Sequence, residues 1–175
     1  MAALSSREIE RLLRLLDEEL GSEGVTGELY LVGGAAMCLA FGARDSTRDV
    51  DGYFRPTRSI REAAARVGVR AGVGEAWLND AVKAYLSEKG SFSRFLELSQ
   101  LTVFCANADY LLAMKCLAMR IGEEFQDLDD VRYLLRHLDL RSYADAIARI
   151  TRYYPLARFP QKTLYALEEL LAPAR

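Results

Sequence analysis

The sequence predicts an α+β fold: a small mixed β-sheet flanked by helices, followed by an all-helical C-terminal part. Apolar runs bounded by glycine, proline or polar turns recur at 28–33, about 48–54 and 95–105. Stretches with apolar residues at helical spacing lie between them, and from Ala108 onward only helical periodicity remains. No repeat, low-complexity segment or flexible linker interrupts the chain. Residues 1–175 therefore read as one compact domain, with an α/β core over 1–105 and a helical part over 106–175.

Each element has a local reason. Ser5 followed by Glu8 fits a capping box, and Ile9, Leu12, Leu13, Leu16 and Leu20 form one face of a helix over 5–20. Gly21, Gly24 and Gly27 end that pattern. A strand follows at 28–33, a helix at 34–41 and a second strand at about 48–54, which Pro56 closes. Ser59 is placed to cap a helix running through Val67. Glu75 to Ser87 reads as helical, with Leu78, Val82, Tyr85 and Leu86 on one side. The stretch 95–105 reads as one strand, or as two around Ser99-Gln100. Helices are expected at about 108–121, 127–138, 142–153 and 161–171.

Composition narrows the chemistry. Half the residues are apolar and about a quarter charged, as in ordinary globular domains. Cys38, Cys105 and Cys116 are far apart in apolar surroundings, which predicts buried thiols in a reducing compartment rather than a zinc site. His137 is the single histidine, so a histidine-based triad or multi-histidine metal site is excluded. No apolar run reaches the roughly 20 residues a membrane span needs, and no signal peptide is recognisable at the start. The expectation is a cytoplasmic protein with no membrane partner. Residues 131–175 hold eight basic against four acidic side chains, whereas 1–130 hold fifteen against twenty-one. Tyr143, Tyr153, Tyr154, Phe159 and Tyr165 share the basic tail. Such a tail suits an RNA backbone and unstacked bases, or it is a solvated helical face with half-buried tyrosines.

The most informative residues are two glycines and two aspartates. Leu29-Tyr30-Leu31-Val32-Gly33-Gly34 stops at a glycine pair and flows into a helix. Arg48-Asp49-Val50-Asp51-Gly52-Tyr53-Phe54 follows after a short polar bend. Residues i and i+2 of a strand point to one face, so Asp49 and Asp51 project together. Carboxylates so placed repel unless a cation lies between them. The glycine pair lets a phosphate approach the backbone N–H groups. An acid pair that grips a metal beside a phosphate cradle is what nucleotidyl transfer requires. The plainer alternative makes Asp49 and Asp51 surface acids at a strand end.

The run LVGGAAMCLAFGARDSTRDVDGYF resembles the first motif of the polymerase-β-type nucleotidyltransferase superfamily, and more narrowly the bacterial AbiEii and MenT-like group. Many members of that group are toxins of toxin–antitoxin pairs. Trp77-Leu78-Asn79-Asp80, Ala108–Lys115 and Gln126–Val131 are similar in type and order to its later motifs. The resemblance implies a nucleotidyltransferase-type sheet, with Gly33 and Gly34 in a phosphate-binding turn. It assigns Asp49 and Asp51 to Mg²⁺ (or Mn²⁺), and Glu97 within Leu96-Glu97-Leu98 as the third carboxylate. Glu97 could instead be an exposed strand residue. Lys115 would reach nucleotide phosphates, or its stem would snorkel to solvent. Asp127 shares a face with Asp130, and would serve as a base, orient Lys115 or cap a helix. Arg44 and Arg48 would hold triphosphate, or neutralise the neighbouring aspartates. Asn79 and Asp80 would line a pocket or a helix surface.

The function this implies is Mg²⁺-dependent transfer of a nucleoside monophosphate from an NTP to a macromolecular acceptor, with tRNA favoured. A cognate antitoxin protein would be the partner. The alternatives are a non-catalytic nucleotidyltransferase-like antitoxin or regulator, and a small-molecule nucleotidyltransferase.

Overall fold

The computed structural model describes residues 3–120, 122 and 126–172. In chain order the elements are β1 (Leu4–Ser5), α1 (Ser6–Ser22), β2 (Gly27–Leu31), α2 (Gly33–Leu39), β3 (Ser46–Thr47), β4 (Val50–Arg55) and α3 (Thr57–Ala71). Then come β5 (Leu78–Asn79), β6 (Phe92–Glu97), β7 (Leu101–Ala106), α4 (Ala108–Leu117), α5 (Asp127–His137), α6 (Tyr143–Ile150) and α7 (Gln161–Leu170). Short 3₁₀ turns occupy Ala81–Tyr85 and Leu156–Arg158. The class is α+β. The described residues form two compact units: those up to Tyr85 with Phe92–Ala106, and Leu86–Ser91 with those from Asn107 onward.

The first unit is built on a five-stranded sheet in the order β5-β4-β2-β7-β6. It is mixed: β2 runs antiparallel to β4 and parallel to β7, β6 is antiparallel to β7, and β5 is parallel to β4. Period-two alternation sorts the side chains. Leu29, Leu31, Val50, Phe54, Leu101, Val103 and Cys105 face inward, against Ile9, Leu12, Leu13, Leu16 and Leu20 of α1 and Ile60, Ala63, Ala64 and Val67 of α3. Burying each of those α1 side chains stabilises the fold by about 1.5–3 kcal/mol. The opposite face carries an aromatic row. Tyr30 stacks on Phe104 at 4.7 Å between centroids and meets Phe92 edge-on at 5.2 Å and Tyr53 at 5.7 Å. A second, two-stranded ribbon pairs Leu4 with Thr47 and Ser5 with Ser46.

Local signals set several boundaries. Ser5 and Glu8 form the capping box of α1, the Glu8 carboxylate accepting from the Ser5 N–H at 2.8 Å. The β6–β7 turn is fixed from outside the hairpin: Asp17 Oδ1 accepts from the N–H groups of Gln100 and Leu101 at 2.6 and 2.9 Å. Ser142 caps α6 by accepting from the Asp145 N–H.

Other expectations are corrected. Helix α3 starts at Thr57, so Ser59 lies inside its first turn rather than capping it, and Gly72 ends it at φ 73° in the left-handed region. The segment from Glu75 to Ser87 is helical only in the 3₁₀ turn Ala81–Tyr85, and no α-helix forms there. Strand β5 attaches to the sheet edge instead, where Trp77 O accepts from Val50 N–H at 2.7 Å. The Trp77 indole is fully buried and donates to Ala64 O at 2.8 Å. Pairing with β4 buries Trp77 and Leu78 while satisfying the backbone at that edge.

The second unit is helical. Helix α4 buries Tyr110, Leu111, Leu112, Ala113, Met114, Cys116 and Leu117, nearly all round, as a central helix must. The Tyr110 hydroxyl accepts from the Ser87 N–H at 2.9 Å, and its ring lies so close to Gly90 that a Cβ there would be 2.7 Å away. These contacts tie segment 86–91 to α4. Arg149 of α6 donates to both carboxylate oxygens of Asp109 on α4 at 2.8 and 2.9 Å.

Candidate functional site

Asp49 and Asp51 flank Val50, whose side chain is fully buried on the inner face of the sheet. Asp51 sits in β4 and is only partly buried, as is Asp49 in the bend just before it. The parallel register sets Asn79 of β5 beside Asp51, and its side-chain amide donates to Asp49 Oδ2 at 3.3 Å. Asn79 therefore stands next to Asp51 in the sheet and binds Asp49.

The glycine pair lies directly against this edge. Val32 N–H donates to Asp51 O at 3.1 Å, so the end of β2 is held to the acid-bearing strand. Gly33 then turns at φ 61°, a left-handed conformation that glycine adopts without steric cost. A Cβ at Gly33 would stand 3.1 Å from Asp51 Oδ2, so the carboxylate rests on the glycine. At Gly34 a Cβ would meet Thr47 Oγ1 at 2.2 Å and Arg44 Nη1 at 3.2 Å. The structure thus brings together Gly33, Gly34, Arg44, Asp49 and Asp51. Arg48 lies two positions from the strand and is exposed. Thr47 and Asn79 complete the cluster. Asn79 was expected at a pocket or on a helix surface, and it lies in β5; nothing in the sequence marks Thr47, which arrives through the β1–β3 ribbon.

Glu97 is not brought to this cluster. It pairs with Thr102, which is opposite Glu28, which is opposite Arg55, at the far end of β4 from Asp51. That is roughly 13 Å along the strand, and three strand spacings of about 4.8 Å lie across the sheet. Glu97 is 62% exposed and paired to Arg94 at 2.7 Å, the exposed-strand alternative. Its assignment as third metal carboxylate is corrected by register. Among the described residues no group of three or more Asp, Glu, His or Cys side chains is placed to hold a metal. Two carboxylates are nonetheless a donor set that suits Mg²⁺ or Mn²⁺, which keep waters and take substrate phosphates as remaining ligands.

Lys115 and Asp127 belong to the second unit. The Lys115 ammonium donates to Asp127 Oδ1 at 3.1 Å and reaches Asp130 Oδ2 at 2.7 Å; the three side chains are 10%, 7% and 4% exposed. Arg120 binds Asp127 Oδ2 through both its Nε (2.9 Å) and its backbone N–H (3.2 Å). Burial alone would raise the Asp127 pKa; Lys115 and Arg120 together outweigh it and hold the carboxyl below its ordinary range. A carboxylate so depressed is a poor proton acceptor, since a general base works best with a pKa near the operating pH. What Asp127 does in this structure is orient Lys115 and join α4 to α5.

The aromatic tail is partly structural too. Tyr154 is 2% exposed, packed near Tyr110 and edge-on to Phe159, with Arg158 over its ring. Of the two readings of the tail tyrosines, base stacking is therefore ruled out for Tyr154, which is a core residue buried more fully than the half-buried alternative. Compared with protein-family models, curated proteins and solved structures, the chain matches none.

Proposed function

We propose that the first unit is a nucleotidyltransferase that uses Mg²⁺ or Mn²⁺ to move a nucleoside monophosphate from an NTP onto a macromolecular acceptor, tRNA being favoured. On this reading the sheet is of the nucleotidyltransferase type, and the protein is the toxin of a toxin–antitoxin pair with a cognate antitoxin as partner. The observation that carries the proposal is the Asp51 carboxylate resting on the left-handed Gly33, with Asp49 beside it across Val50.

Asp49 and Asp51 would hold the metal, which when bound supplies charge neutralisation for the phosphates and acidifies an attacking hydroxyl. Asn79 orients Asp49. Arg44 stands beside Gly34 and would supply positive charge to a phosphate there. The acceptor oxygen bonds to the α-phosphorus, its proton passes to water, and the bond to the β-phosphate oxygen breaks to release pyrophosphate.

The non-catalytic regulator is the second reading, and the position of Glu97 favours it: two acids can bind Mg²⁺–NTP without a third to complete a catalytic pair. A small-molecule acceptor with a positive charge would need a free acid near the site, and Asp80 is committed to Lys83 at 2.6 Å and Arg61 at 2.7 Å, which counts against the small-molecule reading. The test is incubation with each α-labelled NTP, Mg²⁺ and total RNA, followed by separation of RNA from protein. Label should enter a discrete small RNA, and Asp49→Asn or Asp51→Asn should lower transfer by about 100-fold or more. Losses should not add, because one acid alone cannot fix the ion. Metal-dependent NTP binding without transfer to any acceptor would select the regulator; no NTP binding at all would reject both.

A further inference from the structure

We infer that Thr47 is a phosphate-binding residue of this site, its hydroxyl taking the place that a side chain at position 34 would otherwise fill. The inference rests on the nucleotidyltransferase reading and names a residue that the sequence did not mark.

Three observations converge. Thr47 is 7% exposed, one of four buried polar or charged side chains among the described residues. Its Oγ1 makes no hydrogen bond to another described residue, and it is not sealed from solvent as the unsatisfied hydroxyl of Thr163 is. Its position is also specified. A Cβ at Gly34 would lie 2.2 Å from Oγ1 and 3.0 Å from the Thr47 Cβ, so the approach exists only because residue 34 is glycine. The Arg44 guanidinium flanks the same point, at 3.2 Å from that Cβ position. A hydroxyl can donate to an anionic oxygen, and a guanidinium adds charge; together they recognise a phosphate.

The ribbon explains the delivery. Thr47 pairs with Leu4, whose side chain is buried in the core, and Ser46 pairs with Ser5, the capping residue of α1. The N-terminal residues therefore hold Thr47 against Gly34. A strand residue placed for packing alone would be served as well by valine or alanine; a hydroxyl with no bond among the described residues, beside an arginine, would not.

The experiment measures binding of inorganic tripolyphosphate and of ATP, GTP, CTP and UTP, each with Mg²⁺, to the full chain, with melting recorded alongside. Thr47→Ala should weaken tripolyphosphate and NTP binding about tenfold or more, the usual cost of losing a hydrogen bond to a charged group. Thr47→Ser, which keeps the hydroxyl, should stay within about threefold of the natural protein. Wild-type affinity in the alanine variant would overturn the assignment while leaving the nucleotidyltransferase reading intact. An equal loss in the serine variant would overturn it too, because it would make the methyl group, and so packing, the cause. Failure of the natural protein to bind any of the five probes would remove the site reading, and the role of Thr47 with it.

Discussion

Lys115→Met tests what the second unit is held together by. Methionine matches the length and apolar stem of lysine, so the change removes a charge and little packing. The structure fixes the consequence: Asp127 and Asp130 are 7% and 4% exposed, and Lys115 Nζ lies 3.1 and 2.7 Å from their oxygens. Removing one partner of a buried ion pair costs about 3–5 kcal/mol, because the remaining charge stays buried. At about 2–4 °C per kcal/mol for a chain of this size, the helical transition should fall by roughly 6–20 °C. The pH dependence separates this from a packing defect. The Asp127 carboxyl is held below the ordinary carboxylate range, so its contribution is present above that range and lost as pH falls through the lowered pKa. Without Lys115 only Arg120 opposes the burial penalty, so the Asp127 carboxyl rises from its place in the natural protein and its ionised form is less well held. The gap between the natural protein and Lys115→Met should therefore be widest near pH 7 and narrow toward pH 3. Thermal melts by circular dichroism across that range, with Lys115→Met/Asp127→Asn/Asp130→Asn as the partner-deleted control, read it directly. An unchanged melting point at pH 7, with NTP binding lost, would refute the argument and give the ammonium to the nucleotide.

Three further outcomes are expected. Gly33→Ala forces a side chain into φ 61° with its Cβ 3.1 Å from Asp51 Oδ2; metal-dependent NTP binding should fall while the melting point drops by only about 1–2 kcal/mol equivalent, measured by titration and denaturant unfolding. Gly68→Ala sets a Cβ 2.2 Å from Gly74 O and 2.7 Å from the Trp77 ring, where backbone must move; it should destabilise by about 1–3 kcal/mol with a matching change in Trp77 fluorescence. Burial pushes the Cys105 and Cys116 thiols up to about 12, so iodoacetamide at pH 8 should leave both unmodified until the protein unfolds, as mass spectrometry of the peptides would show.

The parts legible in the sequence were those that depend on neighbours along the chain. The apolar face of α1 and its Ser5–Glu8 cap follow from spacing, as does the alternation of buried Val50 with half-buried Asp51 in β4, because helix and strand periodicities are properties of the local backbone; Asp49 lies in the bend before that strand. The Gly33 turn belongs with them, since its φ is one that other residues adopt at a cost. Trp77, Glu97, Lys115 and Thr47 were decided elsewhere. Apolar spacing in Glu75–Ser87 fits a helix, but a free edge of β4 offered Trp77 and Leu78 backbone partners and made a strand. The run Leu96-Glu97-Leu98 fits a metal-bearing strand, yet which end of a strand meets Asp51 depends on strand order and register, set by pairings tens of residues apart. Lys115 is basic at any register, but whether its charge is spent on buried carboxylates depends on how α5 packs against α4. Thr47 is one polar residue in a bend until the β1–β3 ribbon presses it onto Gly34. Local backbone preference acts within a few residues, whereas edge pairing, register and buried charge are settled only when distant segments compete for the same partners.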